Sequence, residues 1–206
     1  MGQTCLKGQD YEREWKLAKQ ATTNCNKNFA KEIKEFKTKK QGVTGQYINT
    51  ALKDSANFIG CFAEDELENL AVTSFPSFFI VNIDSTDLSG SHWIAIGIFK
   101  ETIEIYDSLG FDIFNWARVP CSLLNFLHRL SVTRRVLTAP RIQADTSFLC
   151  AFYAIYYILL RNFLPFEKTF ECFCKTRFNL NDSILLRFFK NAARLQDNKE
   201  ALPKIE

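Results

Sequence analysis

The sequence predicts an α+β fold, and three observations lead there. Residues 148–160 form an unbroken apolar run that follows three helix-capping residue types, Asp145, Thr146 and Ser147, and reads as a buried helix starting between them and Cys150. Residues 92–99 and 102–107 are apolar and β-branched segments separated by Lys100 and Glu101, the pattern of strand, tight turn and strand. Apolar residues at helical spacing then recur near both ends of the chain, from Tyr11 to Phe36 and from Ile184 to Ala192.

In chain order, residues 8–40 read as helix, because Tyr11, Trp15, Ala18, Cys25, Phe29, Ile33 and Phe36 form one apolar stripe with a break near 22–26. Lys39, Lys40, Gln41 and Gly42, continuing to Gly45, read as a linker. This divides the chain into a basic helical segment 1–45, a main domain 46–195 and a flexible polar tail 196–206. Within the main domain, 46–70 read as helix and turn with a stop at Phe58, Ile59 and Gly60. Residues 75–82 read as a buried strand with Pro76 near its start, and 84–91 as a loop.

The hairpin at 92–107 carries geometric information. A two-residue turn at 100–101 places 98 opposite 103 and 96 opposite 105, so Ile94, Ile96 and Ile98 share a face with Ile103 and Ile105. His92 and Asp107 become diagonal neighbours at the open end of that face, at a spacing of about 7–8 Å that lets their side chains meet. Further on, 120–130 read as a helix through Leu123, Leu124, Leu127 and Leu130, with His128 a structural residue on it. A strand is expected within 132–142, a turn at Pro165, and a last amphipathic helix at 182–195 through Ile184, Leu185, Phe188, Phe189 and Ala192.

Composition excludes several classes. The longest apolar run is too short to span a bilayer, so no membrane partner is expected, and no secretory signal is read at the N-terminus. Gly2 lacks the Ser or Thr at position 6 that myristoylation favours. Seven cysteines without a signal imply free thiols in a reducing, intracellular compartment. They include no C-x-x-C pair, and the two histidines do not match a zinc pattern, so no metal or organic cofactor is expected. Residues 1–45 hold ten basic and five acidic side chains, a net of +5 that leaves −2 for the rest of a chain of total charge +3. That segment is either a DNA contact or a solvated helix surface with Glu and Lys at pairing distances.

Four residues have complementary chemistry. Cys150, in the first turn of a helix, feels the positive end of its dipole and is a candidate nucleophile; the alternative is one more buried cysteine on a core helix. His92 is a candidate base, and Asp107 a candidate for orienting the imidazole; alone they read equally as a hydrogen-bonded pair at a strand end. Gln143 is a neutral amide donor able to face the oxyanion of a tetrahedral intermediate together with a backbone N–H, although a solvated loop glutamine looks the same in sequence. The filling of all four roles at once favours the catalytic reading.

His92 followed by Trp93, Asp107 followed by Ser108, Leu109 and Gly110, and Gln143 seven residues before Cys150 together resemble the adenovirus endopeptidase (adenain) family. Its wider superfamily includes the SUMO and ubiquitin-like-protein proteases. The resemblance covers roughly residues 55–165 and departs from the family pattern at Ala151, where Gly usually follows the nucleophile, and at Asp107, where many adenovirus enzymes have Glu. It implies a small mixed sheet packed by helices, with the nucleophile at the N-terminus of a buried helix. It also implies a monomeric thiol endopeptidase that cleaves precursor polypeptides of a virus or virus-like element at small-residue, Gly-containing sites. Activation by a peptide and by DNA, the latter through 1–45, and residence in the host nucleus and virion follow from the same resemblance. Two alternatives stay open: a protease of ubiquitin-like modifiers, and a DNA-binding scaffold with a dead site.

Overall fold

Strands that are apolar on both sides must be covered by two layers, and the centre of this chain is built from such strands. In the computed structural model, which describes residues 42–116, 119–131 and 133–200 (the last eight by backbone alone), β2 (Ser77–Asn82) and β3 (Trp93–Ile98) are buried at every position. β4 (Thr102–Tyr106) is buried at all but its first residue. With β1 (Phe58–Ala63) and β5 (Arg135–Thr138) they form one five-stranded sheet of order β1-β2-β3-β4-β5. The outer pairs β1–β2 and β4–β5 are parallel and the inner pairs antiparallel, so the sheet is mixed and the fold α+β.

One face of the sheet presents Phe79, Val81, Ile94, Ile96, Ile98, Ile103 and Ile105. It is covered by α2 (Cys121–Ser131), through Leu123, Phe126 and Leu127, and by Leu67 of a 3-10 turn at Glu64–Asn69. The other face, with Phe78, Ile80, Ala95 and Tyr106, carries α3 (Cys150–Arg161). α3 is buried from Ala151 to Leu160 because it is sandwiched between the sheet and two further helices, α1 (Gly45–Leu52) and α4 (Phe178–Glu200). An all-round apolar helix is stable only in such a position. Thr44 caps α1 by accepting the Tyr47 N–H at 3.2 Å.

The central face also holds a buried ionic group. A Cβ on Gly97 would lie 2.6 Å from the Tyr157 hydroxyl, so glycine there leaves room for that ring to cross the strand. Tyr157 donates to Glu104 Oε2 at 2.7 Å, and Arg161 grips the same carboxylate through Nε at 2.7 Å and Nη2 at 2.8 Å. Burial first, and then the Glu104 charge, push the Tyr157 hydroxyl well above its ordinary value, so it stays a donor.

Several expectations change. Residues 58–63 are strand and not the end of a helix. Gly60, with φ +144°, sits at an irregularity in the β1–β2 register, and pairing with β2 overrides the local stop signal. α3 starts at Cys150 as expected, but its N-cap is Leu149 and no side chain caps it. α4 runs from Phe178 to Glu200 and not from 182 to 195, since nothing before Pro203 breaks it. Cys174 is disulfide-bonded, against the expectation of free thiols throughout. The helix expected over 8–40, the linker before Gly42 and residues 201–206 lie outside the described residues, whereas 196–200, expected to be a flexible tail, are the end of α4. Among the described residues, no helix is long and apolar enough to cross a membrane.

Candidate active site

The β3–β4 pairing is the one the turn dictates: Ile98 opposite Ile103, Ile96 opposite Ile105, Gly97 opposite Glu104. It brings His92 and Asp107 together, with Nε2 of the imidazole 2.8 Å from Asp107 Oδ1. Both are buried, at 5% and 2% exposure. The carboxylate is held from its other side by the chain that follows it. Leu109 N donates to Oδ1 at 2.9 Å and Phe111 N to Oδ2 at 3.2 Å. That tight wrap passes through Gly110 at φ +67°, where a Cβ would lie 2.5 Å from the Arg141 backbone nitrogen. Phe111 covers the imidazole edge-on at 6.3 Å and is itself stacked on Trp116 at 4.2 Å.

The thiol arrives from the opposite layer. Strand alternation put His92 and Asp107 on the isoleucine face, whereas α3 lies on the other face. β3 begins at Trp93 and β4 ends at Tyr106, so both site residues stand just beyond the paired ladder, where alternation no longer binds them. The site therefore forms at the end of the sheet, where the two layers meet. Cys150 is half-buried at the first position of α3, near enough to His92 to act on its pKa. With Nε2 on Asp107, Nδ1 is the ring nitrogen left for the thiol. Burial is the largest single influence on His92 and lowers its pKa, but the hydrogen bonds and charges of Asp107 and Cys150 outweigh it and push the imidazole up to about 10.

Gln143 is buried, not solvated, at 1% exposure. Its Nε2 donates to the Ser147 carbonyl at 2.8 Å, and its Oε1 accepts from the Ser108 hydroxyl at 2.5 Å. A backbone carbonyl can only accept, so Ser147 settles which end of the amide carries the hydrogens. One N–H is thereby held, and the second has no partner among the described residues. The first intrahelical bond at this end of α3 is Tyr153 N to Leu149 O at 3.0 Å, which leaves the N–H of Cys150 without a helical acceptor. Gln143 is thus fixed to the loop that leads into the start of α3.

The sequence reading missed the residues that hold Gln143. The Ser108 carbonyl accepts from Ile142 N at 2.9 Å and Gln143 N at 2.8 Å, which ties the loop before Cys150 to the end of β4. Ser147 Oγ donates to Asp182 of α4 at 2.9 Å, and Tyr153 donates to the same oxygen at 3.1 Å. Small hydroxyl residues flanking site residues were the available signal, and they look like ordinary loop serines. Ala151 is buried at the second position of α3. No protein-family model matches the chain, and no curated protein matches it.

Proposed function

We propose that the protein is a cysteine endopeptidase with Cys150 as nucleophile, His92 as general acid and base, Asp107 as the group orienting His92, and Gln143 as an oxyanion donor. The observation that carries this reading is the imidazole shared between a buried carboxylate on Nε2 and a half-buried helix-terminal thiol on its other side. In the reaction, the Cys150 thiolate attacks the scissile carbonyl carbon. The oxyanion is met by Gln143 Nε2 and the Cys150 backbone N–H. His92 Nδ1 gives its proton to the leaving amine, and a thioester remains. Water then attacks the thioester as His92 takes its proton, releasing the acid and restoring the thiolate and the protonated imidazole. By resemblance, the substrates are precursor polypeptides of a virus or virus-like element, cut at sites with small residues such as Gly.

The test needs no substrate. Alkylation of each cysteine by iodoacetamide is followed by peptide mapping in the full chain and in His92→Ala. Cys61 is a built-in control, since burial and then the charge of Glu66 push its thiol up to about 12. Cys150 is expected to react fastest, well below the unperturbed cysteine pKa of about 8.5, and to lose that advantage in His92→Ala. A Cys150 no faster than the exposed Cys121, and indifferent to His92, overturns the reading.

A further inference from the structure

We propose that the groove between α1 and the loop 84–90 holds the substrate polypeptide to one side of Cys150 and selects a basic side chain there. The inference rests on the protease reading and adds the chemistry of the substrate to it.

The groove encloses about 740 Å³. Asn49 and Lys53 of α1 form one wall, the loop from Asp84 to Gly90 the other, and Phe62 and Trp93 are the apolar lining between them. Two features join it to the candidate active site. Trp93 directly follows His92, and its indole is pinned by donating Nε1–H to the Val43 carbonyl at 3.1 Å. The loop that makes the outer wall runs straight into His92, whose carbonyl accepts from Ile83 N at 3.1 Å. The groove and His92 therefore lie at the same end of the sheet.

Charge decides what occupies it. Among the described residues, Glu66 and Asp84 line the groove against one cation, Lys53. The Asp65 carboxylate nearby is engaged by the N–H and hydroxyl of Thr86. Asp84 accepts no side-chain hydrogen bond among the described residues, and Glu66 uses only Oε2, on Ala63 N. Burial first, and then the charges of Asp65 and Asp84, raise the neighbouring Glu64 carboxyl. Leu88 stands 59% exposed at the rim. Lys and Arg side chains combine an apolar stem with a charged end: the stem suits Leu88, Phe62 and Trp93, and the end suits Asp84 and Glu66. A phosphate backbone or an acidic peptide would meet like charge.

The experiment measures anisotropy of labelled decapeptides centred on Gly-Gly binding to full-length Cys150→Ser protein. Lys, Glu or Leu is placed at one flanking position at a time, on both sides. Lys is expected to bind about fivefold tighter than Glu at positions on one side only, with the ratio falling to about one in Asp84→Asn/Glu66→Gln. If the double variant does not fold, Asp84→Asn alone is expected to reduce the ratio at least twofold, an estimate of roughly half the effect. Equal binding of Lys and Glu peptides, a preference that survives neutralisation, or no binding at about 1 mM peptide overturns the proposal. Failure of the protease reading shows separately, as an unreactive Cys150 in the unmutated protein.

Discussion

Glu104 lies within β4 and Asp107 just past its end, and each is buried against a basic side chain from another element. Glu104 meets Arg161 of α3, and Asp107 meets His92 at the mouth of β3. The two pairs differ in what is left over. Glu104 is gripped by Arg161 in a two-pronged bond and by Tyr157, while Arg161 Nη1 goes to the Leu164 carbonyl at 2.9 Å. That cluster consumes its own donors and acceptors. Asp107 instead holds one nitrogen of a ring that is also influenced by a half-buried thiol. Burial and a charged partner are common to both, so neither marks a reactive site. A group with remaining bonding capacity turned toward a reachable nucleophile does.

Asp107→Asn tests the contrast most severely. Turnover is expected to fall by about 10²–10⁴-fold, since an amide cannot hold the imidazolium in the same way. The melting temperature should fall as well, because the carboxylate that raises the His92 pKa is gone, so turnover is read well below the transition. Glu104→Gln should cost stability alone. It leaves Arg161 with an uncompensated charge and costs about 3 kcal/mol in denaturant unfolding, the low end for a buried pair because Arg161 keeps some solvent contact. Below the melting transition, the alkylation rate of Cys150 should match that of the unmutated protein. A large loss of reactivity there would erase the distinction between the clusters.

The pH dependence sharpens the comparison. The His92 pKa is raised from 6.5 to about 10 on folding. Its contribution to stability is therefore complete below pH 6.5 and is lost as the pH rises toward 10. Unfolding free energies at pH 6, 8 and 10 should decline more steeply in the unmutated protein than in His92→Ala, and equal slopes would remove the case for a tightly held proton. The smallest effect is expected from Gly110→Ala. The positive φ and the approach to Arg141 should cost about 1–3 kcal/mol, with some loss of Cys150 reactivity as the wrap around Asp107 loosens.

What the sequence made legible was local geometry with a fixed period. The hairpin register followed from its two-residue turn, and with it the meeting of His92 and Asp107. The start of α3 at Cys150 followed from the polar run before it. What escaped needed tertiary information. β1 was hidden because its glycine reads as a stop and only parallel pairing with β2 makes it a strand. Glu104 between Ile103 and Ile105 has the alternation of a half-solvated strand, and nothing local says that Arg161, far along the chain, covers it. Gln143 could be chosen as a donor, but its orientation depends on Ser108 and Ser147, which only the fold brings to it.

The position of Cys150 on α3 has a consequence for how the site fails. The ten residues after it are buried on every side, so the segment that carries the thiol belongs to the part of the molecule expected to open last. Its amides from Tyr153 onward should exchange with deuterium only through global unfolding, while the loop 84–90 exchanges through small local openings. Heating would then loosen the groove well before it displaces Cys150. The protein would pass through a range in which Cys150 still reacts with a small electrophile but no longer discriminates among peptides.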